Sequence, residues 1–431
     1  MDYTPVLVLI ISFLFLLAIG TPVAWSITVS SLLTMMVSID SIASFTTVAQ
    51  RMATGLDSFA LLAIPFFILS GELMNKGGIA HRLIAFAKTL VGSLPGGLAL
   101  INVIAAMLMG AIAGSAMASA SAMGSILGPE MEKEGYSKEF GVAVNITSAT
   151  TGLVIPPSNV LIVYSLASGG VSIAALFLAG YIPGILTGLL LMMVAAIWAK
   201  KKKYNIGKGS SLKEVFKTFI DALPSLLLLV VVIGGIVIGI FTATEASAIA
   251  VLYTLVLGFI YKEISVKNLP QILLDSSATT AVVMLLIGAS MSMSWVMSYE
   301  NIPQEISTGL LQISENPIII LLIINLILLA VGTFMDMTPA VLIFTPIFLP
   351  IVTALGMDPV HFGILMILNL CIGLCTPPVG SVLFVGVGIA KTSIQKVIKP
   401  LIPMFAAMIV ALLLITYFPQ LTLWLPSLFG F

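Results

Sequence analysis

Long apolar stretches alternate with short polar connections along almost the whole chain. A helix that crosses the hydrocarbon core of a bilayer needs about 20 mostly apolar residues, and many of the stretches approach or exceed that length. The pattern therefore predicts an all-α polytopic membrane protein. We predict single spans at residues 4–20, 23–39, 59–75, 172–199, 223–241, 244–261, 278–297 and 400–418.

Four further stretches are interrupted near their middle by glycine, proline or hydroxyl-bearing residues. We predict a re-entrant helical hairpin in two of them, at about 97–129 and 317–353. The other two, at about 140–165 and 360–390, are predicted to be helices broken by a Pro-Pro pair. These interruptions are informative because a backbone group without a hydrogen-bond partner is costly in hydrocarbon.

The two halves of the chain superpose at several turn-forming positions under one ungapped shift of 221 residues. A single shift that matches both Pro-Pro pairs is too specific to be accidental. The superposed pairs are Pro129 with Pro350, Gly135 with Gly356, Gly152 with Gly373, Pro156 with Pro377, and Pro157 with Pro378. We therefore predict two repeats, residues 1–199 and 218–431, joined by a basic linker at 200–217.

The number of membrane crossings in each repeat decides how the repeats are related. If the first hairpin turns back near Gly114 and Ser115, each repeat has five crossings, and an odd number turns the second repeat upside down. Lysine and arginine concentrate in cytoplasmic loops. With both termini in the periplasm, 17 of the 18 basic residues fall on the cytoplasmic side, and only Arg51 does not. We expect two inverted repeats in a bacterial inner membrane.

Composition excludes the soluble classes. The chain is 59% hydrophobic and 8% charged, whereas soluble domains are about 25% charged. Its formal net charge of zero gives no reason to expect a nucleic-acid partner. Cys371 and Cys375 lie four residues apart in an apolar stretch, a spacing that fits neither a metal site nor a redox motif, so we expect buried packing thiols.

The Pro-Pro breaks suggest ion sites. Each pair removes two N–H donors in mid-span and exposes carbonyl oxygens, which a sodium ion can satisfy. We predict one sodium site in each repeat and no organic cofactor. The first is predicted at Ser115, Ser119, Gly152, Pro156, Ser158 and Asn159, near Ser121, Thr147, Ser148, Thr150 and Thr151. The second is predicted at Gly332, Asp336, Thr338, Gly373, Thr376 and Pro377, near Thr333, Asn369 and Ser381.

These residues also have structural interpretations. Serines let membrane helices pack closely, and the Pro-Pro pairs can be simple kinks. Asp336 favours function most strongly, because a charge at mid-bilayer costs about 2.5–3.5 kcal/mol on insertion scales. Glu245 fits a capping box at a helix start, whereas Glu72 and His81 border a basic loop and are expected to be solvated. We assign no role to His361.

The chain resembles the large membrane subunit (the M, or DctM-like, subunit) of tripartite ATP-independent periplasmic (TRAP) transporters over nearly its whole length. The matching segments are GTPVAWS from Gly20, SFALLAIPFFILSGELMNKGGIAHRL from Ser58, GSAMAS from Gly114, IPPSN from Ile155, FTATEA from Phe241, MDMTPAVLIFTPIFLP from Met335 and NLCIGLCTPPVGSVLF from Asn369.

The resemblance implies a sodium-driven importer of a carboxylate-bearing solute with an elevator mechanism. It also implies two partners, a small four-helix membrane subunit and a soluble periplasmic binding protein. Four residues of the hairpins and the first break are then expected to bind the solute: Ser115, Asn159, Asp336 and Thr338.

Two positions depart from the family pattern. Family members often have an aspartate where this chain has Ser119, and an aliphatic residue where it has Asn159. These departures bear on the choice of solute, and we favour an acidic sugar such as sialic acid over a simple dicarboxylate. The alternative function is a stand-alone sodium/carboxylate symporter of related architecture. We expect neither an enzyme nor an ATP-binding subunit, because the chain has no HExxH and no GxxxxGK[ST] motif.

Overall fold

The computed structural model describes residues 4–204, 210–314 and 316–431, which form twenty α-helices and no strand. The first ten are α1 (Thr4–Ala18), α2 (Val23–Ser38), α3 (Ser41–Gly55), α4 (Ala63–Lys76, preceded by a 3-10 turn), α5 (Ile79–Val91), α6 (Gly97–Ala113), α7 (Ala116–Lys133), α8 (Lys138–Thr151), α9 (Asn159–Ala167) and α10 (Ile173–Lys202). The second ten are α11 (Leu212–Val237), α12 (Ala243–Ile260), α13 (Leu269–Tyr299), α14 (Ile302–Ile313), α15 (Pro317–Phe334), α16 (Met337–Ala354), α17 (Pro359–Gly373), α18 (Ser381–Ala390), α19 (Ile394–Tyr417) and α20 (Gln420–Leu428).

The all-helical membrane class is confirmed: within the described ranges, eight helical segments are long and apolar enough to cross a membrane. The sequence pattern did not predict α3, α5, α14 and α20. These helices have 15 residues or fewer. Three of them, α3, α5 and α14, also carry charged residues, so they do not form the long apolar stretches on which the prediction depends.

The basic linker is partly helical. Its first lysines extend α10 to Lys202, and α11 begins at Leu212 behind a capping box formed by Ser211 and Glu214. Residues 205–209 of the linker, and Glu315 between α14 and α15, lie outside the described residues.

Each predicted hairpin consists of two helices joined by a two-residue turn. Gly114 and Ser115 join α6 to α7, and Met335 and Asp336 join α15 to α16. The helix boundaries follow the same 221-residue shift as the sequence. Helices α7 and α16 begin and end 221 residues apart, and α8 and α17 begin 221 residues apart.

Glycine pairs hold each hairpin against the broken helix of its own half. A Cβ added to Gly110 in α6 would lie 2.4 Å from the Cα of Gly152, just after α8. One added to Gly332 in α15 would lie 3.1 Å from the Cα of Gly373, at the end of α17. The backbones therefore touch directly, and any side chain at these crossings would push the helices apart.

The two broken helices contact each other, with α17 against α8 and α9 and α18 against α8. Both Pro-Pro peptide bonds in the breaks are cis. The second arm of each hairpin packs on the far piece of the opposite broken helix, so α7 lies on α18 and α16 lies on α9. Cys371 and Cys375 are fully buried free thiols whose sulfurs donate to the carbonyl oxygens of Thr150 and Ile146 in α8. The prediction of packing thiols is confirmed.

Lysine-bearing helix ends meet at one end of the bundle. Lys76 at the end of α4 pairs with Asp275 in α13 at 2.9 Å, and the guanidinium of Arg82 in α5 stacks over the ring of Tyr261 at the end of α12. Lys88 in α5 pairs with Glu130 in α7. We call this the lysine-rich end.

Candidate functional site at the hairpin tips

A cavity of about 340 Å³ lies between the tips of the two hairpins, the starts of α9 and α18, and helices α4 and α13. Apolar side chains such as Ile64, Ile68 and Val283 form part of its wall. Its polar lining comes from both halves of the chain: Glu72, Asn75, Ser115, Asn159, Thr279, Asp336 and Thr338.

Four helices begin at this cavity. The first residues of α7 (Ala116–Ala118), of α9, of α16 and of α18 all line it. The N–H groups of a helix's first turn have no partner within the helix, and the helix dipole places about half a positive charge there. The N–H of Ala118 in α7 donates to the Ser115 hydroxyl and that of Val382 in α18 to the carbonyl of Leu374, so the dipoles of four helices, with the N–H groups that remain, favour an anion in the cavity.

The first tip is shaped by a glycine. Gly114 has φ +61°, a left-handed conformation that favours glycine. A Cβ there would lie 2.8 Å from the amide nitrogen of Asn159, so only glycine allows the Asn159 side chain to lie against the tip. The hydroxyl of Ser115 accepts a hydrogen bond from the backbone N–H of Ala118 at 3.3 Å and caps α7.

The second tip presents a carboxylate. Asp336 is the N-cap residue of α16, but its side chain accepts no capping hydrogen bond and is exposed to the cavity. Asp40 in the same position on α3 does accept one, from the N–H of Ile42 at 3.1 Å. The carboxylate of Asp336 lines the cavity beside the backbone N–H of Met337, the first residue of α16.

One buried hydroxyl lies in the first hairpin and another at the first break. Ser119, in the first turn of α7, and Ser158, just before α9, are fully buried. Neither hydroxyl oxygen has a hydrogen-bond partner within the described part of the chain. A buried hydroxyl without a partner is costly, and its oxygen can coordinate a cation. Gly152 and Pro156, also predicted ligands, lie in the break between α8 and α9.

Several groups of the second break are bonded to each other, but the buried hydroxyl oxygen of Ser381, at the start of α18, has no hydrogen-bond partner among the described residues. The hydroxyl of Thr376 donates to the carbonyl of Ile372 at 2.8 Å, and its N–H donates to the carbonyl of Gly373 at 2.8 Å. The N–H of Gly380 donates to the carbonyl of Thr333 at 3.0 Å, which ties the break to the hairpin. Of the second predicted set, Asp336 and Thr338 line the cavity, Gly332 in α15 lies against Gly373 at the end of α17, and Thr376 and Pro377 lie in the break, whose Leu374 also lines the cavity.

Sequence reasoning missed three polar residues of the cavity, Glu72, Asn75 and Thr279. Glu72 was expected to be solvated beside Lys76, but it lines the cavity wall, and Lys76 instead pairs with Asp275. The available signal was its position: an acidic residue inside an otherwise apolar helix tends to be functional.

Other single residues have structural roles. The capping box at α12 is confirmed, because the backbone N–H of Thr242 donates to Glu245 at 2.8 Å and the N–H of Glu245 donates to the Thr242 hydroxyl at 3.2 Å. His361, which was assigned no role, is fully buried, and its Nδ1 lies 2.7 Å from the hydroxyl of Thr422.

Comparisons with known proteins place these features in a family. A family model described as the DctM component of the tripartite ATP-independent periplasmic transporter matches residues 10–421. The chain is 58% identical over 426 residues to an uncharacterized protein, YgiK, of Salmonella typhimurium, with 99% of this chain and 98% of that one covered.

The chain is also 39% identical over 421 residues to the sialic acid TRAP transporter large permease protein SiaM of Vibrio cholerae, with 97% of this chain and 98% of that one covered. Among solved structures, the Alcanivorax borkumensis YdaH transporter has a TM-score of 0.64 over 89% of this chain and 90% of that one, at 13% identity. That likeness shows a shared fold alone.

Proposed function

The chain belongs to the DctM family of tripartite ATP-independent periplasmic transporters, whose members are large permease components, and from that premise we propose that it imports a carboxylate-bearing solute together with sodium. The observation that carries this proposal is the cavity at which four helices begin. Backbone N–H groups and dipoles at helix N-termini bind anionic groups in the same way in other transporters with broken helices.

A sodium ion bound in the same cavity would explain why acidic residues line a site proposed for an anion. Asp336 and Glu72 both line it, and a carboxylate solute beside them would be repelled unless a cation lies between. We place one ion with Asp336 and Thr338, and a second with the buried hydroxyls of Ser119 and Ser158. Carbonyl oxygens of the breaks complete both sites in this proposal.

We also propose that the repeats are inverted and that the hairpins move as one body. Helices α4 and α13 form one wall of the cavity, and the hairpins with the broken helices form the other. Movement of the second group along the first would carry the cavity across the membrane, as an elevator mechanism requires.

Labelling tests the inverted topology. Cysteines placed at the exposed residues Ser211 and Lys396 should react only with reagents on the cytoplasmic side, and one at the exposed Asn316 only with reagents in the periplasm. The expectation follows from the excess of lysine in cytoplasmic loops. Reaction of Ser211→Cys and Asn316→Cys from the same side would refute the inverted repeats.

The partners follow from the family description, which names a tripartite transporter. We propose a small four-helix membrane subunit and a periplasmic binding protein that delivers the solute. For the solute we propose an acidic sugar such as sialic acid, for which one relative is named, over the C4-dicarboxylates for which relatives of about the same identity are named. The runner-up function, a stand-alone sodium/carboxylate symporter, needs neither partner.

Solute binding in the cavity can be tested with Met117→Cys. Met117 lines the cavity and is 40% exposed, while the native cysteines are fully buried and should not react. A ligand at about ten times its Kd fills about nine-tenths of its sites, so a binding acid should slow labelling by a thiol reagent about tenfold, and only with sodium. Sialic acid and succinate serve as the two test acids.

Leu212→Cys is the control for this experiment. Leu212 is 89% exposed at the start of α11 and does not line the cavity, so its labelling should not respond to either acid. Equal labelling of Met117→Cys with and without both acids, in sodium, would contradict the proposed site.

A further inference from the structure

The cavity at the hairpin tips lies close to one end of the two helices that form its wall, α4 and α13. On α4 it reaches Glu72, one helical turn before Lys76. On α13 it reaches Thr279, one turn after Asp275, which pairs with Lys76. Beyond Val283, α13 extends roughly another 24 Å at 1.5 Å per residue without lining the cavity. The cavity therefore lies toward the lysine-rich end of the wall.

The two halves of the chain contact the wall differently. Under the 221-residue shift, α4 is equivalent to the second part of α13, α6 to α15, and α7 to α16. However, α4 packs on α6, the first arm of its hairpin, whereas α13 packs on α16, the second arm. Two halves in equivalent positions would make equivalent contacts. The hairpins are therefore displaced along the wall toward the lysine-rich end, which is the cytoplasmic position of the elevator movement proposed above.

Exchanging the roles of the two inverted halves gives the residues that would face the cavity at the other end of that movement. The shift places Met293 at the position of Glu72 and Val296 at that of Asn75. Both Met293 and Val296 are buried in the structure, and neither lines the cavity. At the periplasmic position the wall would thus present two apolar side chains where it now presents a carboxylate and an amide.

Glu72 has no structural partner that would explain a carboxylate in the wall. It is partly exposed, and it makes no ion pair and no hydrogen bond within the described ranges. The other charged residue that lines the cavity, Asp336, belongs to the second hairpin and would move with the solute. The sodium sites proposed above use Asp336 and leave Glu72 without a cation.

We propose that Glu72 promotes release of the anionic solute into the cytoplasm. Its carboxylate lies beside the solute only when the hairpins are at the lysine-rich end, and like charges repel strongly across a cavity with walls of low dielectric constant. At the periplasmic position Met293 takes its place and this repulsion is absent. The solute therefore binds more weakly at the cytoplasmic position. This role rests on the import function and the elevator movement proposed above.

Membrane vesicles of defined orientation test the role of Glu72. The chain carries Met117→Cys, whose labelling by N-ethylmaleimide is slowed by sialic acid or succinate added in sodium. Inside-out vesicles present the cytoplasmic side to the acid. There, Glu72→Gln, which removes the charge and keeps the shape, should lower the half-protecting acid concentration about tenfold. In right-side-out vesicles the variant should behave as the chain with Met117→Cys alone does.

Asp275→Asn is the matched control. It also removes a carboxylate near the lysine-rich end, but Asp275 pairs with Lys76 and does not line the cavity. We expect this variant to leave protection unchanged in both orientations. Sodium dependence separates a repelling carboxylate from a sodium ligand, because Glu72→Gln should not raise the sodium concentration needed for protection, whereas loss of a ligand would.

An unchanged or raised half-protecting concentration in inside-out vesicles, or an equal fall in both orientations, would overturn the release role of Glu72. The import function is judged by the chain with Met117→Cys alone. Absence of protection there with both acids would overturn the import function and the release role together, whereas normal protection without an effect of Glu72→Gln would remove the release role alone.

Discussion

Replacing Asp336 by asparagine should raise the sodium concentration for half-maximal uptake by about tenfold or more. The carboxylate lines the cavity beside the N–H of Met337, and asparagine has the same shape and an oxygen that can accept from that N–H, so the substitution removes the charge alone. Interactions with a charged group are worth about 1.5–3 kcal/mol, which corresponds to about tenfold to a hundredfold in affinity. Uptake measured against sodium concentration gives the result.

The sign of the effect distinguishes two roles for this residue. If the carboxylate binds sodium, its loss raises the sodium concentration needed for half-maximal uptake and slows uptake at a fixed sodium concentration. If it only repels the anionic solute, its loss should speed uptake and leave the sodium dependence unchanged. The second outcome would remove Asp336 from the ion site.

Asp40→Asn is the matched control for this substitution. Asp40 is also an N-cap residue, lies outside the cavity and accepts a real capping hydrogen bond. Asparagine caps helices as well as aspartate does. We therefore expect unchanged uptake and unchanged sodium dependence in this variant.

The sequence predicts the hairpins and breaks because a backbone can turn within hydrocarbon only at special residues. Gly114, with its left-handed backbone, and the two Pro-Pro pairs are such residues, and they can be recognised directly in the sequence. The 221-residue shift then pairs Ser115 with Asp336, and the structure brings both to one cavity.

The sequence could not predict features that depend on which helix faces which. Glu72 lies one turn before Lys76, so the sequence alone suggests a solvated pair, and only the packing of α4 against the hairpins directs it to the cavity. Gly128 in α7 and Lys391 after α18 line one further cavity, although they are far apart in the sequence and no motif or repeat connects them. The helices α5 and α14 are amphipathic and lack the apolar length on which span prediction depends.

The proposed import couples an anionic solute to sodium and depends on both partner subunits. An inside-negative potential favours sodium entry by about 2.3 kcal/mol per charge per 100 mV, so uptake needs no nucleotide. Glu300, just after α13, and Glu305 in α14 lie on the side predicted to be periplasmic, which therefore offers an anionic solute no electrostatic steering. A periplasmic binding protein that docks on this surface would bring the solute to the chain without such steering.

The most direct test is uptake by proteoliposomes that contain this chain and its small membrane partner. We predict uptake only when sodium, an inside-negative potential and the cognate binding protein are all present, with a fall to background when any one is left out. Robust uptake of free solute by this chain alone would contradict the account and support the stand-alone symporter.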